Sequence, residues 1–375
     1  MIDTVCLLIP KDKMQFIEGV SNWELYSKTD TYQKFIRNPS KVEKATGKYF
    51  PRLTGYKRRF GDDANVRIEF SVPKLLLLNN LDEVSEKDFL QIVSVLYDRM
   101  AEMGVIVGKS VLKSAKVSSV HYSKNIHLTD GFTASYVISE INKISVRKSF
   151  DFSKARFAND GQSLYIHATN HQFVIYDKIA DLVKKKKRAI DKDQTVYQRS
   201  LFDQIDNRLT EVLRLEVRLN KKQKMNEVLV KNGGNKDPTF SDVFSKEISQ
   251  KVVSDYWHTL IKGNNLAVLS LDIKPKDLLN MLMRSELKPK PVRAVYLVGL
   301  HCLAKDSNGT RQLRSILEKK STDRSWYRMS NDLKELGRLV SEDYLRDWVK
   351  QIDQKLKDYK TLKTLDYAKQ ETSTP

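Results

Sequence analysis

Three stretches of the chain alternate apolar and polar residues, and each carries a chemically capable residue on its polar side. In 65–72 the apolar row is Val66, Ile68, Phe70 and Val72, and the polar row is Arg67, Glu69 and Ser71. In 211–219 Leu213, Leu215, Val217 and Leu219 oppose Arg214, Glu216 and Arg218. In 174–178 Tyr176 and Lys178 share a side. Alternate residues of a strand point to the same face, so each set acts together. A carboxylate between two arginines can hold a divalent cation while the guanidiniums take phosphate oxygens. Glu69 offers a second carboxylate, and Tyr176 a phenolic nucleophile. A phenol is a poor nucleophile at its ordinary pKa of about 10. Lys178 can stabilise the phenolate or the phosphate it attacks. Taken alone, each stretch also reads as an amphipathic edge strand showing water a ladder of salt bridges.

The remaining chemistry is narrower. None of the six histidines forms a His-hydrophobic-His triplet or a usual zinc spacing with a cysteine partner. His121, in Val120-His121-Tyr122-Ser123, falls on an expected strand, where a hydrogen-bonded structural histidine and a ligand or general base are both open readings. There is no GxGxxG, no GxxxxGK[ST], no GxSxG and no HExxH, so nothing supports dinucleotide binding, nucleoside-triphosphate binding or a serine or zinc hydrolase.

The elements that must position these residues are mostly strands. An apolar run at 2–9 closes at Pro10. The stretch 46–60 predicts a hairpin turning at Thr54-Gly55, and 163–179 a hairpin turning at Thr169-Asn170. Strands are expected at 65–72, 116–123 and 211–219. Helices are expected near 86–103, behind the capping pair Ser85 and Asp88, and at 133–143. A basic helical stretch is expected at 182–188. After Gly233-Gly234-Asn235 the periodicity turns helical to about residue 360. The expected fold is α+β: an antiparallel sheet with inserted helices over 1–236, then a mainly helical domain over 237–375. In that second part, 310–317 and 325–339 predict two helices joined at Ser321-Thr322-Asp323. Arg311, Arg314, Arg324 and Arg328 surround the joint. This pattern suits a DNA-binding helix-turn-helix and equally an ordinary helical hairpin with a solvated basic face.

Charge points to the partner. With 66 Lys and Arg against 47 Asp and Glu, the net charge is +19 on a chain that is 40% hydrophobic. Such a chain can bury a core, and its excess charge suits nucleic acid, where each phosphate contact releases a counterion. Cys6 and Cys302 exclude a disulfide framework and a cysteine zinc site. No apolar run is long enough to cross a membrane, and Met1–Cys6 lacks the basic start of a signal peptide, so a reducing cytoplasm is the expected location.

The opening Met1-Ile2-Asp3-Thr4-Val5, the strand Val66–Lys74, the segment Val120–Asn125, Ile175-Tyr176-Asp177-Lys178 and Leu213–Leu219 occur in one order. That order resembles the phage and plasmid replication initiators related to the gene II protein of filamentous phages, over roughly residues 1–225. The resemblance implies a nicking-endonuclease-like fold and a rolling-circle replication endonuclease. Such an enzyme cuts one strand of a double-stranded origin, keeps the 5′ phosphate on a tyrosine and leaves a 3′ hydroxyl to prime synthesis. It implies Tyr176 as nucleophile with Lys178 beside it, Glu69 and Glu216 as metal ligands, and Mg²⁺ or Mn²⁺ as cofactor. His121 stands where filamentous-phage relatives carry an Asp, so a mixed Glu/His set is expected, or His121 is no ligand. Arg67, Arg214 and Arg218 would face the DNA near the cut. The expected partners are origin DNA, double- and single-stranded, and a host helicase. The rival readings are a non-catalytic origin-binding regulator or repressor with the same fold, and an RNA-binding protein that stacks bases on strand aromatics.

Overall fold

A computed structural model describes residues 1–58, 65–146, 156–158, 162–183, 211–263, 265–318, 323–339 and 344–363. The strands are β1 (Ile2–Pro10), β2 (Gln15–Phe16), β3 (Glu24–Lys28), β4 (Tyr32–Arg37), β5 (Arg52–Arg58), β6 (Asn65–Ser71), β7 (Val105–Ile106), β8 (Lys116–Leu128), β9 (Arg156–Ala158), β10 (Ser163–His167), β11 (His171–Asp177) and β12 (Glu211–Leu219). β2 and β7 pair by themselves, and the other ten form one sheet in the order β3-β4-β5-β6-β1-β8-β12-β11-β10-β9. Every recorded pairing is antiparallel. The α+β architecture with a large antiparallel sheet and a helical C-terminal region therefore stands.

The two faces of the sheet differ in kind. Val5, Leu7 and Ile9 of β1, Ile68 and Phe70 of β6, and Leu213, Leu215 and Val217 of β12 are all buried in one apolar core. The helices Phe89–Glu102, Lys222–Lys231, Lys246–Tyr256 and Asp347–Asp358 contribute to the same core. Phe240 sits edge-on to both Phe70 and Phe89, with ring centres 5.8 and 5.1 Å away. Each such side chain taken wholly from water contributes about 1.5–3 kcal/mol, and this face holds the sheet in register. The opposite face carries the polar rows.

One part of that polar face is plugged. β1 begins at Ile2, so β8 runs on past it without that neighbour. The loop 79–83 fills the gap. Glu83 accepts the Asn125 amide at 2.6 Å and the Lys124 ammonium at 2.5 Å, and the Leu81 carbonyl accepts from the Asn125 side chain at 2.5 Å.

The described residues beyond 237 contribute to two cores. Tyr256, Trp257, Trp348 and Ile352 belong to the sheet's core. A second core gathers between them from Leu278, Leu282, Leu297, Leu300, Trp326, Leu333 and Leu336. Its two ends are tied together: the Leu271 amide donates to the Tyr344 carbonyl at 2.6 Å, and the Arg346 amide to the Leu269 carbonyl at 3.1 Å. The helical bundle is thus an excursion from the sheet, and the chain returns to cover the apolar face.

Two local expectations change. Gly55 is not a turn: β5 runs straight through it, paired with Phe35 of β4. Lys178 is not on the strand: β11 ends at Asp177, and Lys178 opens the short helix Lys178–Val183. The basic stretch 184–188 and the joint at 319–322 lie outside the described residues.

Candidate functional site

β12 decides what its charges can do. It lies between β8 and β11, well inside the sheet, so its Arg-Glu-Arg row is no solvent-facing edge ladder. Register sets its neighbours: Arg218 lies opposite His121 and Gln172, Glu216 opposite Ser123 and Val174, and Arg214 opposite Asn125 and Tyr176. The alternation seen in the sequence thereby brings Tyr176, His121, Glu216 and Arg218 onto one face.

These four line a pocket of about 260 Å³ together with Glu69. Tyr176 Oη donates to Glu216 Oε2 at 3.0 Å. Arg218 Nε donates to Glu216 Oε1 at 2.7 Å and its terminal nitrogen to Oε2 at 3.3 Å. His121 Nδ1 stands 3.6 Å from Glu216 Oε1, and its Nε2 is 3.0 Å from Asn220 Oδ1. Glu216 is therefore the hub. Burial opposes its charge, but Arg218, backed by His121 and Arg214, outweighs burial and holds the carboxyl well below the usual carboxylate range. Tyr176 is buried, and burial together with the Glu216 charge pushes its phenol well above its ordinary value. As arranged, the phenol is a protonated donor.

Lys178 sits beneath the ring, its ammonium nitrogen 5.7 Å from the Tyr176 ring centre. The residue is wholly buried, with the nearest acid, Asp181, at 3.9 Å. Burial, with Arg214 nearby, lowers it to about 7.

The other expected site residues separate. Glu69 is exposed at the pocket's far rim, with Arg52 opposite it in register. It stands three strands from Glu216 and four residues away along the register, a backbone separation of about 20 Å. Arg67 lies further along β6, outside the pocket lining, and donates to the Cys6 sulfur at 3.3 Å. Arg214 is buried and fully engaged, donating to Asn125 Oδ1, Asp3 Oδ1 and the Asn80 carbonyl at 2.6, 2.9 and 2.5 Å, so it cannot face DNA. Arg311 and Arg314 likewise correct the expected duplex surface. Arg311 is half-buried beside the end of the helix Ala134–Asn142, donating to Asn142 Oδ1 at 2.5 Å. Arg314 is buried over Trp326, 5.8 Å from the ring centre. Arg324 and Arg328 are exposed.

For a divalent cation the donor types are suitable, since carboxylate and imidazole suit Mg²⁺ or Mn²⁺. His121 and Glu216 are adjacent. Among the described residues, however, no three of His, Cys, Asp and Glu already stand together as a cage. Asp3, Asp181 and, at the far rim, Glu69 are the other carboxylates that line the same pocket.

Asp3, Arg52 and Lys74 are pocket residues that sequence reasoning missed. Asp3 had a signal, a lone charge inside an apolar run. Arg52 was hidden by reading Gly55 as a turn. No helix among the described residues is long and apolar enough to cross a membrane. No family model, no curated protein and no solved structure matches the chain.

Proposed function

We propose that the chain nicks and rejoins one strand of a phage or plasmid replication origin through a covalent 5′-phosphotyrosine on Tyr176. The observation that carries the reading is the hydrogen bond from Tyr176 Oη to Glu216 Oε2, in a pocket rimmed by Arg52, Lys74 and Arg218. It joins a nucleophile, an acceptor for its proton and cations for a phosphate.

The resting geometry also suggests how substrate starts the reaction. Arg218 suppresses the basicity of Glu216 while the two are paired. A scissile phosphate entering the pocket competes for the same guanidinium. As Arg218 turns to the phosphate, Glu216 recovers basicity and takes the Tyr176 proton while Oη bonds to phosphorus. The bond from phosphorus to the 3′ oxygen breaks, and that oxygen leaves as a hydroxyl on taking a proton from water. Arg218 and Lys74 balance the charge on the transferring phosphoryl group. Covalent capture conserves the phosphodiester, so rejoining needs no nucleoside triphosphate. A divalent cation, Mg²⁺ or Mn²⁺, held by His121 and Glu216 with Asp3, would polarise the phosphate. Arg324 and Arg328 are the candidates for duplex contact in the helical bundle.

The test is incubation of the supercoiled replicon that encodes the chain with protein and Mg²⁺ or Mn²⁺, followed by a denaturing gel. The expected product is a nicked circle with protein on its 5′ end, absent in EDTA. Tight binding to a circle that stays intact would instead favour the non-catalytic origin regulator.

A further inference from the structure

We infer that the polar face of the sheet is a track for single-stranded DNA, with aromatic platforms on both sides of the catalytic pocket. The inference rests on the nicking reading for what happens in the pocket, and on separate residues for how the strand is held.

Register places the platforms. On β4 and β5, Tyr56 lies opposite Lys34, and Tyr32 is two residues from Lys34 on the same face. That face continues along β5 to Arg52, which is opposite Glu69 at the pocket rim. Tyr56 is therefore about 14 Å from Arg52 along the strand. Tyr26 and Tyr32 are exposed and Tyr56 is half-buried. Tyr32 and Tyr56 meet edge-on with centres 5.9 Å apart, and Lys34 Nζ lies 4.6 Å over the Tyr26 ring. Tyr26 is 61% exposed and Tyr32 37%.

On the other side, Tyr165 of β10 is opposite Val174, which is opposite Glu216. Its ring is stacked on His167 at 5.8 Å, with 8° between the planes. Both belong to the polar face, since His167 pairs with Gln172 and Gln172 with Arg218. From β4 to β10 the face spans seven strand spacings, about 34 Å, long enough for several nucleotides on either side of the cut.

The chemistry selects the occupant. Tyr26 and Tyr32 on one flank and the half-buried Tyr165 on the other supply stacking faces, and Lys34, Arg52, Arg67 and Arg218 supply phosphate partners between them. Unpaired bases offer free faces to such rings, whereas paired bases in a duplex do not. Holding the strand on both sides would fix the scissile phosphate in line with Tyr176.

The test is fluorescence anisotropy of a labelled single-stranded 20-mer and of its duplex, without divalent metal, using full-length protein. Tyr26→Ala with Tyr32→Ala should weaken single-strand binding by roughly tenfold or more, and Tyr165→Ala by about fivefold or more. Duplex affinity should change less than twofold, and the Phe variants should restore single-strand binding because they keep the ring. Photo-crosslinking with bromouracil should label Tyr32 or Tyr56 and Tyr165 from opposite sides of the strand. Unchanged single-strand affinity in folded variants, equal losses on duplex, or a changed oligomeric state would overturn the track. The last result would assign the tyrosines to a protein interface. Because the readout is binding, a protein that never nicks leaves this test intact, and a nicking protein can still fail it.

Discussion

Arg214 and Arg218 lie on the same strand and face, four residues apart, with the same expected role in the sequence, yet they meet opposite surroundings. Arg214 is at the plugged end, 1% exposed, with Asp3, Asn125 and the Asn80 carbonyl all accepting from it. Arg218 is at the open end, its side chain 28% exposed, with one acid, Glu216, and a pocket in front of it. A buried arginine with each guanidinium nitrogen engaged joins pieces of the fold. An arginine with one exchangeable partner can change partners when a phosphate arrives. The difference arises from what covers each end of the sheet, not from the residue type.

Three substitutions probe that contrast, in falling order of effect on stability. Arg214→Ala should cost about 3–5 kcal/mol in urea unfolding, because it strands Asp3 and two other buried acceptors. A loss below 1 kcal/mol would show that Arg214 is not a keystone. Lys178→Met should act the other way, raising the melting temperature by several degrees near pH 7. The buried amine sits near pKa 7 when folded and about 10.5 when unfolded, so charging it opposes folding below that upper value. The gain over wild type should be full below pH 7 and shrink as pH rises toward about 10.5. A constant difference across that range would remove the buried-amine account. Arg218→Ala should cost only about 1–2 kcal/mol, since Glu216 keeps Tyr176 and His121 and can take up a proton at the pocket. Its nicking rate should nonetheless fall by roughly a hundredfold or more. Wild-type nicking by this variant would exclude the exchange of Arg218 between Glu216 and phosphate.

Acid should reveal the same hub. The folded-state pKa of Glu216 is depressed, so its contribution is present above the unfolded carboxyl value of about 4.3 and is lost as pH falls through the folded value. Glu216→Gln should flatten that acid limb in a stability titration. An unchanged limb would move the hub elsewhere.

Much of the site was legible because strand periodicity is local. Alternation over 65–71 and 211–219 gave the polar rows of β6 and β12 directly, and the turn after His167 marked the β10–β11 hairpin. Strand order was not legible, since it depends on pairings between residues far apart in sequence. That is why Glu69 and Glu216 appeared as one ligand set, although β1 and β8 lie between their strands. β3 escaped notice because a register shift between Leu25 and Ser27 breaks its alternation. The helical half was legible as helices, and no further, for a related reason. Periodicity shows that a helix has an apolar face but not what it covers. The faces of Lys246–Tyr256 and Asp347–Asp358 cover the sheet, and the positions of Arg311 and Arg314 turn them inward.

The central claim is that Tyr176 Oη becomes bonded to the 5′ phosphate. The most direct measurement is mass spectrometry of peptides from protein trapped on origin DNA and digested with nuclease and protease. The account predicts a nucleotide phosphate on the peptide containing Tyr176, and no adduct at all in Tyr176→Phe, with single-strand binding kept within about threefold because the ring is unchanged. An adduct on Tyr165, or an adduct that persists in Tyr176→Phe, would contradict it.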